Sequence, residues 1–269
     1  MKWLKHSLRF ILVTVGIIVL TSFGIDASQY LTGSQSALGL LADRATEGGC
    51  PAGMTFIENG TDDFCIDTYE VSAADSCPVE NPGHSSQSAE NVRAASCIPI
   101  SSEDKMPWTH VTYHQAIELC AKAGKRLPEQ GEWYKASLGT QEAACPVSEA
   151  SVSEAGEFSD CASTAGVKNM VGNIWEWVSG DVSNGVFNNR VLPETGFVQN
   201  ADSNGVAVET GDSPQVNFHE DYFWSQPEGV KAMMRGGFYG SGSDAGIYSI
   251  HADIETNFSG SAVGFRCVK

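Results

Sequence analysis

The eight cysteines are the residues of this sequence most able to do chemistry, and their spacing limits what that chemistry can be. An even number of cysteines, all downstream of an apolar N-terminal segment, predicts a disulfide framework formed in an oxidising compartment. Zinc binding is the competing interpretation, but the absence of a CxxC pair and of a close Cys/His cluster disfavours it. The cysteines are Cys50, Cys65, Cys77, Cys97, Cys120, Cys145, Cys161 and Cys267.

Two polar stretches predict which cysteines pair locally. PVENPGHSSQSAENVRAAS lies between Cys77 and Cys97, and PVSEASVSEAGEFSD lies between Cys145 and Cys161. Each stretch is typical of a surface loop that a local disulfide closes. We therefore predict the pairs 77–97 and 145–161, with 50–65 as a third.

The histidines are the other candidate metal ligands or catalytic groups. His110, His114, His219 and His251 show no spacing typical of an iron or zinc site. We therefore interpret each one as an ordinary surface or core histidine.

Composition and charge restrict the class of partner. The chain has 269 residues, of which 42% are hydrophobic, and a formal net charge of −17. Phosphate binding needs clustered Lys and Arg, and no basic run occurs beyond the N-terminus, so nucleic acid is excluded as a partner. Neutral or basic surfaces are the expected partners.

The N-terminus predicts export. Lys2, Lys5 and Arg9 precede the apolar run of residues 10–20, and small residues follow at Ala27 and Ser28. Residues 1–27 are either a cleaved signal peptide or a retained membrane anchor, and the chain contacts a membrane only through them. Residues 28–48 then form a linker, and residues 49–269 form one globular domain. The domain is expected outside the cytoplasm, at the cell surface or extracellular.

The stretch VTYHQAIELCAKAGKR predicts the clearest helix. Thr112 is a good N-cap, Gln115 stands at the capping-box position, and Gly124 ends the helix. The apolar face predicted for this helix consists of Ile117, Cys120 and Ala121.

A second helix is predicted from Gln130 to Leu138, with Pro128 just ahead of it and Gly139 as its terminator. After this helix the helical signal fades. Residues 180–232 are rich in Gly, Asn, Asp and Ser with scattered apolar residues, which predicts long surface loops with short strands.

Three sequence blocks carry a family resemblance. MPWTHVTYHQAIELCAKAGKRLPEQGEWYKASLG, NMVGNIWEWVSG and MRGGF…VGFRC follow one another in this order over residues 106–267. Together they resemble the formylglycine-generating enzyme family, a variant of the C-type lectin fold. The resemblance implies an α+β domain with two helices, short antiparallel strands and much irregular backbone. It also implies a disulfide between Cys120 and Cys267.

The resemblance implies a structural calcium ion as well. Its ligands would be the Asn169 side chain, the carbonyl groups of Gly172 and Ile174, and the Glu176 carboxylate, a mixed oxygen set that suits calcium. The alternative is a Trp-rich core turn in which Glu176 pairs with an arginine. The family has a Thr at the cap of the second helix where this chain has Glu129, which predicts a weaker cap.

The sequence departs from the family where the family's chemistry takes place. Formylglycine-generating enzymes use copper and two cysteines placed shortly after the RGG, whereas residues 238–250 of this chain contain no cysteine. A thiolate oxidase cannot work without its sulfur atoms, so we expect neither copper nor catalysis.

The cysteine-free stretch has instead the character of a binding surface. Residues 245–254 alternate as a strand does: Tyr248, Ile250, Ala252 and Ile254 are expected to face the core, and Ser249, His251 and Asp253 the solvent. Tyr, Ser, Gly and Asp with single apolar residues are typical of antibody-like binding loops.

The whole stretch of residues 235–267 resembles the variable region of proteins diversified by retroelements, in which template adenines are randomised. Ten positions match Asn-type template codons, and Tyr239 adds an aromatic anchor. The predicted ligand-binding positions are Tyr239, Gly240, Ser241, Asp244, Ser249, His251, Asp253, Ile254, Phe258, Gly260 and Ala262.

The sequence thus predicts a non-enzymatic, surface-displayed protein whose C-terminal face is diversified to bind proteins or cells. Affinity would come from a few aromatic or apolar anchors ringed by small polar groups. The alternatives are an exported oxidase of the sulfatase-modifying family, a degenerate inactive member of it, and a purely structural envelope protein.

Overall fold

A computed structural model describes residues 49–269 of the chain. The chain divides into residues 1–52 and a compact unit, Gly53–Lys269. The predicted export segment and linker lie outside the described residues. Within residues 49–269, no helix is both long enough and apolar enough to cross a bilayer.

Three α-helices and thirteen strands make up the regular structure of the described residues. The helices are α1 (Ser85–Arg93), α2 (Tyr113–Lys122) and α3 (Gln130–Ser137). The first five strands are β1 (Met54–Ile57), β2 (Phe64–Asp67), β3 (Val71–Ala73), β4 (Pro99–Ser101) and β5 (Trp175–Ser183). The next are β6 (Val186–Phe187), β7 (Arg190–Val191), β8 (Gly196–Ala201) and β9 (Ala207–Gly211). The last are β10 (Tyr222–Ser225), β11 (Val230–Arg235), β12 (Ile250–Glu255) and β13 (Val263–Phe265).

Nine of the strands form one mixed sheet. Its order is β7-β6-β5-β11-β12-β10-β8-β9, and β13 pairs with β5 beside this path. Most pairs are antiparallel, but β10 with β12 and β13 with β5 are parallel, which the expectation of antiparallel strands did not include. The strands β1 with β2 and β3 with β4 form two small separate sheets.

Hydrophobic cores cover both faces of the central strands. On the paired strands β5 and β11, Val178 and Met233 belong to one buried cluster, whereas Trp177 and Met234 belong to another. Neighbouring side chains on a strand point to opposite faces. The centre of the sheet is therefore buried on both sides, and only its ends and margins reach solvent.

Helix α2 begins and ends as the sequence predicts, but it buries a different face. Thr112 and Gln115 form a capping box, and Gly124 takes the left-handed conformation after the last turn. Ile117 is 40% exposed, so its assignment to the apolar face was wrong, and Ala121 is exposed too. The residues buried on this helix are Tyr113, Ala116, Leu119 and Cys120.

Helix α3 also matches its predicted position, with Gly139 in the left-handed conformation after it. Glu129 precedes the helix, and its backbone N–H donates to the Glu132 carboxylate at 2.7 Å. That bond satisfies one of the donors at the helix start, so the missing Thr leaves the cap in place.

Two segments contain more regular structure than the sequence predicted. Helix α1 lies between Cys77 and Cys97, where its Asn91 side chain bonds both the N–H and the carbonyl group of Val79. Residues 180–232 contain the short strands that were predicted there, β6 to β10, but these strands extend the main sheet instead of interrupting surface loops. Short strands with few apolar residues gain their stability from neighbours in the sheet, which the local sequence does not show.

The predicted disulfides 77–97 and 145–161 are present, as is the implied bond between Cys120 and Cys267. Cys50 and Cys65 are disulfide-bonded too, so none of the eight cysteines is free. The Cys120–Cys267 bond joins α2 to the chain just after β13, across 147 residues of sequence. It therefore constrains the unfolded chain more than the two short-range bonds do.

Replacing both Cys120 and Cys267 with alanine is expected to destabilise the domain by about 5 kcal/mol on the loop-entropy estimate. The matched control replaces Cys145 and Cys161, which are separated by only 16 residues, and should cost about 3 kcal/mol. Urea unfolding of both double variants measures the difference. Equal losses would contradict the dependence on loop length.

Candidate ligand-binding face

The stretch of residues 235–267 begins at a buried arginine. The Arg235 guanidinium is fully buried, stacks over the Trp133 ring at 4.9 Å, and donates to the Ile247 carbonyl oxygen at 2.8 Å. It also donates to the carbonyl oxygens of Asn204 and Gly205 at 3.0 and 2.9 Å. Burial lowers the pKa of Arg235 to about 9, which still leaves it charged at neutral pH. Arg235 thus ties the start of the stretch to the loop that follows it.

The two glycines after Arg235 are required by close backbone approach. Gly236 and Gly237 have φ angles of 94° and 86°, a region that L side chains rarely adopt. A Cβ atom on Gly236 would lie 2.7 Å from the Met170 carbonyl oxygen, and one on Gly237 would lie 2.4 Å from the Ala245 Cβ. The RGG motif is therefore a structural clamp at this place.

Two carboxylates from outside the stretch hold its first loop from below. The backbone N–H of Tyr248 donates to Asp221 at 2.7 Å, and that of Ile247 donates to Glu142 at 3.2 Å. Burial raises the pKa of Asp221 well above its ordinary value, and the nearby Glu142 charge adds to the rise. Gly246 leaves room for this carboxylate, because a Cβ there would meet the Asp221 oxygen. No feature of the local sequence around Asp221 or Glu142 indicates this role.

Strand β12 carries the next part of the stretch and contains a β-bulge. Ala232 and Met234 of β11 pair with Ile254 and His251 of β12, so one residue between them on β11 opposes two on β12. The extra residue reverses the alternation. Ile254 consequently shares a face with His251, although simple alternation assigns them to opposite faces.

The His251 ring is fixed by three contacts. It stacks on Trp224 with ring centroids 4.2 Å apart and meets the edge of Trp175 at 4.8 Å. Its Nδ1 atom lies 2.8 Å from an Asp253 carboxylate oxygen. Trp224 lies on β10, so the segment of residues 180–232 borders this face as part of the sheet.

An open apolar pocket of about 340 Å³ lies beside His251. Its floor consists of Trp175, Met234 and Val263, which are all buried. Phe238 forms one wall. The rim residues are His251, Ile254, Phe258, Gly260 and Ala262, with the exposed Ser261 between the last two.

Five of the eleven predicted binding positions are therefore brought together at one pocket, and they are its rim. Asp253 lies next to them as the partner of His251. The Gly260 carbonyl accepts a hydrogen bond from the His110 N–H at 2.9 Å, which fixes the backbone of the rim. The floor residues were not predicted as binding residues. Two of them adjoin motifs that carry the family resemblance, and these motifs could have indicated the floor: Met234 precedes the RGG, and Trp175 begins the WEW sequence.

Tyr239, Gly240, Ser241 and Asp244 form a second, neighbouring group that does not line the pocket. Their loop lies against Phe238. The backbone N–H of Phe238 donates to the Ser241 hydroxyl at 2.9 Å, and the Tyr239 ring packs on the Phe238 ring with the ring centroids 5.1 Å apart. Phe238 is thus shared between the pocket and this loop.

Ser249 is the one predicted binding position that is fully buried, with 0% of its surface exposed. Its hydroxyl donates to the Asp244 carbonyl oxygen at 2.6 Å. The assignment of Ser249 to the solvent face was wrong, because β12 begins at Ile250 and the alternation does not extend back to Ser249. Tyr248, expected in the core, is only half-buried and bonds the Tyr134 hydroxyl group.

The residues implied as calcium ligands lie in a buried network of charges. Glu176 accepts hydrogen bonds from Arg266, at 2.5 and 2.7 Å, and from the Trp133 indole N–H at 2.7 Å. The Asn169 side chain is buried and makes no hydrogen bond within the described residues. Both Glu176 oxygens accept hydrogen bonds from Arg266, so the alternative of an arginine-paired Glu176 matches the structure. A carboxylate oxygen with one hydrogen bond keeps a free lone pair, and the Asn169 side-chain oxygen has no partner among the described residues, so calcium stays a prediction.

A second buried carboxylate accompanies this network. The Asn173 side-chain amide donates to Glu70 at 2.8 Å, and burial raises the pKa of Glu70 well above its ordinary value, aided by the Glu176 charge. No group of three or more His, Cys, Asp or Glu side chains within residues 49–269 is arranged to hold a metal ion.

Comparison with known proteins identifies a family model that spans most of the chain. The sulfatase-modifying factor enzyme 1-like domain matches residues 57–160 and 147–269. No curated protein shows significant similarity to this sequence.

Solved structures show only a distant likeness. The Major Tropism Determinant M1 variant is 18% identical with a TM-score of 0.45, over 81% of this chain and 52% of that one. Treponema denticola variable protein 1 is 13% identical with a TM-score of 0.41, over 81% and 99% of the two chains. PvdO from Pseudomonas aeruginosa is 14% identical with a TM-score of 0.41, over 81% and 92%. The chain spans about half the length of the Major Tropism Determinant, and a likeness at this level indicates no function.

The buried position of Ser249 predicts which positions of the stretch tolerate substitution. Ser249→Tyr should destabilise the domain by about 1–3 kcal/mol, because the larger side chain has no space and the bond to Asp244 is lost. Gly260→Ser is the control and should change stability by less than about 0.5 kcal/mol, since a Cβ there makes only ordinary contacts. Thermal unfolding compares the two, and equal effects would refute the distinction.

The raised pKa of Asp221 predicts a pH dependence of stability. Between the unfolded-state pKa, about 4, and the higher folded-state pKa, the native chain binds more protons than the unfolded chain. The free energy of unfolding therefore falls as the pH rises through that window. Asp221→Asn should reduce this fall in urea titrations at several pH values, whereas the exposed Glu209→Gln should not. An unchanged slope in Asp221→Asn would contradict the assignment.

Proposed function

The chain belongs to the sulfatase-modifying factor enzyme 1-like family, and we propose that within this family it is a non-enzymatic, surface-displayed ligand-binding protein. The observation that supports this most is the open apolar pocket, together with the absence of cysteine from residues 238–250, where the family resemblance implies the catalytic pair. The pocket's rim consists of residues from the stretch 235–267. Its ligand would be a protein or another cell-surface molecule with a neutral or basic surface.

The state of the cysteines supports a loss of the family's oxidase chemistry. A thiolate nucleophile needs a free sulfur atom, and all eight cysteines are disulfide-bonded. The same disulfides indicate that the chain is exported to an oxidising compartment. Location at the cell surface or outside the cell is part of the proposal, with the N-terminal segment either cleaved as a signal peptide or retained as an anchor.

The contrast between fixed ends and an open rim supports a binding role. Arg235 and Arg266 are fully buried and hydrogen-bonded, and Cys267 is tied to α2 by its disulfide. Between these ends, Phe258 is 44% exposed and the other rim residues are partly exposed. Substitutions at exposed positions without special contacts usually change stability little. Apart from His251, whose ring contacts Trp224, Trp175 and Asp253, the rim can therefore vary while the fold is kept.

Diversification by a retroelement is the finer part of the proposal. Ten positions of the stretch have residues that are reachable from an asparagine codon by changes of adenine alone, and nine of these ten are not buried. Recognition would be reversible binding on a rigid platform, with aromatic anchors surrounded by small polar residues.

An exported oxidase of the same family is the second candidate, because the family model spans the domain. It would need catalytic residues other than cysteine. Copper-dependent oxidation of a cysteine-containing peptide by the purified protein would favour the oxidase over the binding protein.

Sequencing this locus in sibling cells tests the proposed diversification. Differences are expected to be confined to the codons of the predicted positions and to template adenines, with a near-identical repeat and a reverse transcriptase gene nearby. Codon 249 should encode only small residues in folded proteins, because that side chain is buried. An invariant locus without such a repeat would refute diversification.

A further inference from the structure

The pocket beside His251 combines positions that are predicted to stay constant with positions that are predicted to vary. The floor residues Trp175 and Met234 lie outside the stretch 235–267, and Val263 is not one of its predicted variable positions. The rim consists of predicted variable positions. A floor that stays the same under a changing rim gives every variant the same apolar base, and the rim residues of this chain, His251 above all, set the finer chemistry of its own ligand.

The geometry points to one tyrosine side chain on a neutral or basic partner protein as the group that enters this pocket. The inference rests on the proposed binding function and adds the chemistry of the ligand. The volume of about 340 Å³ is at the lower end of the range for small-molecule sites, which suits a single large side chain. Aromatic side chains in well-packed pockets contribute most to protein interfaces.

The pocket offers good contacts to an aromatic ring. Trp175, Phe238 and Phe258 present aromatic rings, and the thioether of Met234 makes favourable contacts with aromatic groups. A carbohydrate, whose hydroxyl groups each need a partner, would find only three polar side-chain groups on the lining: the His251 ring, the Ser261 hydroxyl and the Trp175 indole N–H. The lining therefore favours an aromatic group over a sugar.

His251 selects an aromatic ring that carries a donor. Asp253 accepts a hydrogen bond from Nδ1, because a carboxylate only accepts, and in the neutral imidazole Nε2 is then an acceptor. Stacking on Trp224 holds the ring in this orientation. A phenol is an apolar ring with one O–H donor, which matches an apolar pocket with one ring acceptor.

The surrounding charge favours a neutral or basic partner. Asp253 and Glu255 lie on β12 beside the pocket, and the chain carries a formal net charge of −17. An acidic partner surface would be repelled by these charges.

The test uses the purified protein with its methionine methyl groups labelled with ¹³C. p-Cresol, the side chain of tyrosine, is titrated in parallel with 4-methylanisole, which has the same ring but no donor. p-Cresol should shift the Met234 methyl signal with a Kd on the order of 1 mM, and Met233, in the core on the other face, should not move. 4-Methylanisole should bind about fivefold more weakly, which corresponds to one neutral hydrogen bond.

Variants then identify the group responsible. His251→Phe should abolish the preference for p-cresol over 4-methylanisole, whereas His114→Phe, an exposed histidine on α2, should leave it unchanged. Phe258→Ser changes the rim but not the buried floor, and should weaken p-cresol binding by less than about fivefold.

Three results would overturn the inference: no shift of Met234, equal affinity for the two probes, or loss of binding in Phe258→Ser. Each can occur while the locus still varies among sibling cells, in which case the diversified face stands and the tyrosine anchor fails. If the locus is invariant but p-cresol binds selectively, the tyrosine anchor stands and the diversified face fails.

Discussion

The buried ion pair between Glu176 and Arg266 is the interaction on which the rest of the domain depends. Arg266 also donates to the carbonyl oxygens of Asp67 and Lys168, and Glu176 accepts from the Trp133 indole. Burial by itself lowers the pKa of Arg266, but the surrounding carboxylates outweigh it and the net shift is upward. One charged pair thus joins the central strand β5, the segment after β13, helix α3, the end of strand β2 and the loop at Lys168. Loss of either partner would leave an uncompensated charge in the interior.

This network explains why the candidate binding face is both ordered and open to change. Arg235 and Arg266 anchor the two ends of the stretch through bonds to backbone carbonyl groups and to Glu176, and Asp221 holds its first loop from below. None of these contacts involves a rim side chain of the pocket. The polar interactions that fix the backbone and the side chains that face the ligand are therefore different sets of atoms.

The sequence predicted the parts of the fold that are governed by local chemistry. Caps and terminating glycines located α2 and α3, and short polar spacers identified two disulfides. Helix α1 was missed because its residues are polar and its support comes from Asn91 and from α2. Ser249 and Ile254 were misassigned because the start of β12 and its bulge depend on pairing with β11. Trp224 and Asp221 contribute to the face through tertiary contacts that nothing in their neighbourhood indicates.

Strand β13 has a consequence for the proposed diversification, because its pairing depends on the reading frame of the preceding codons. It lies downstream of every predicted variable position, pairs with the first three residues of β5, and is followed by Arg266 and Cys267. A frameshift anywhere among the variable codons would remove all three at once, leaving Glu176 buried without its cation and Cys120 without its sulfur partner. Proteases and chaperones recognise such incompletely folded chains. Under the proposed diversification, completion of the fold would therefore require that every version of the face keep the original reading frame.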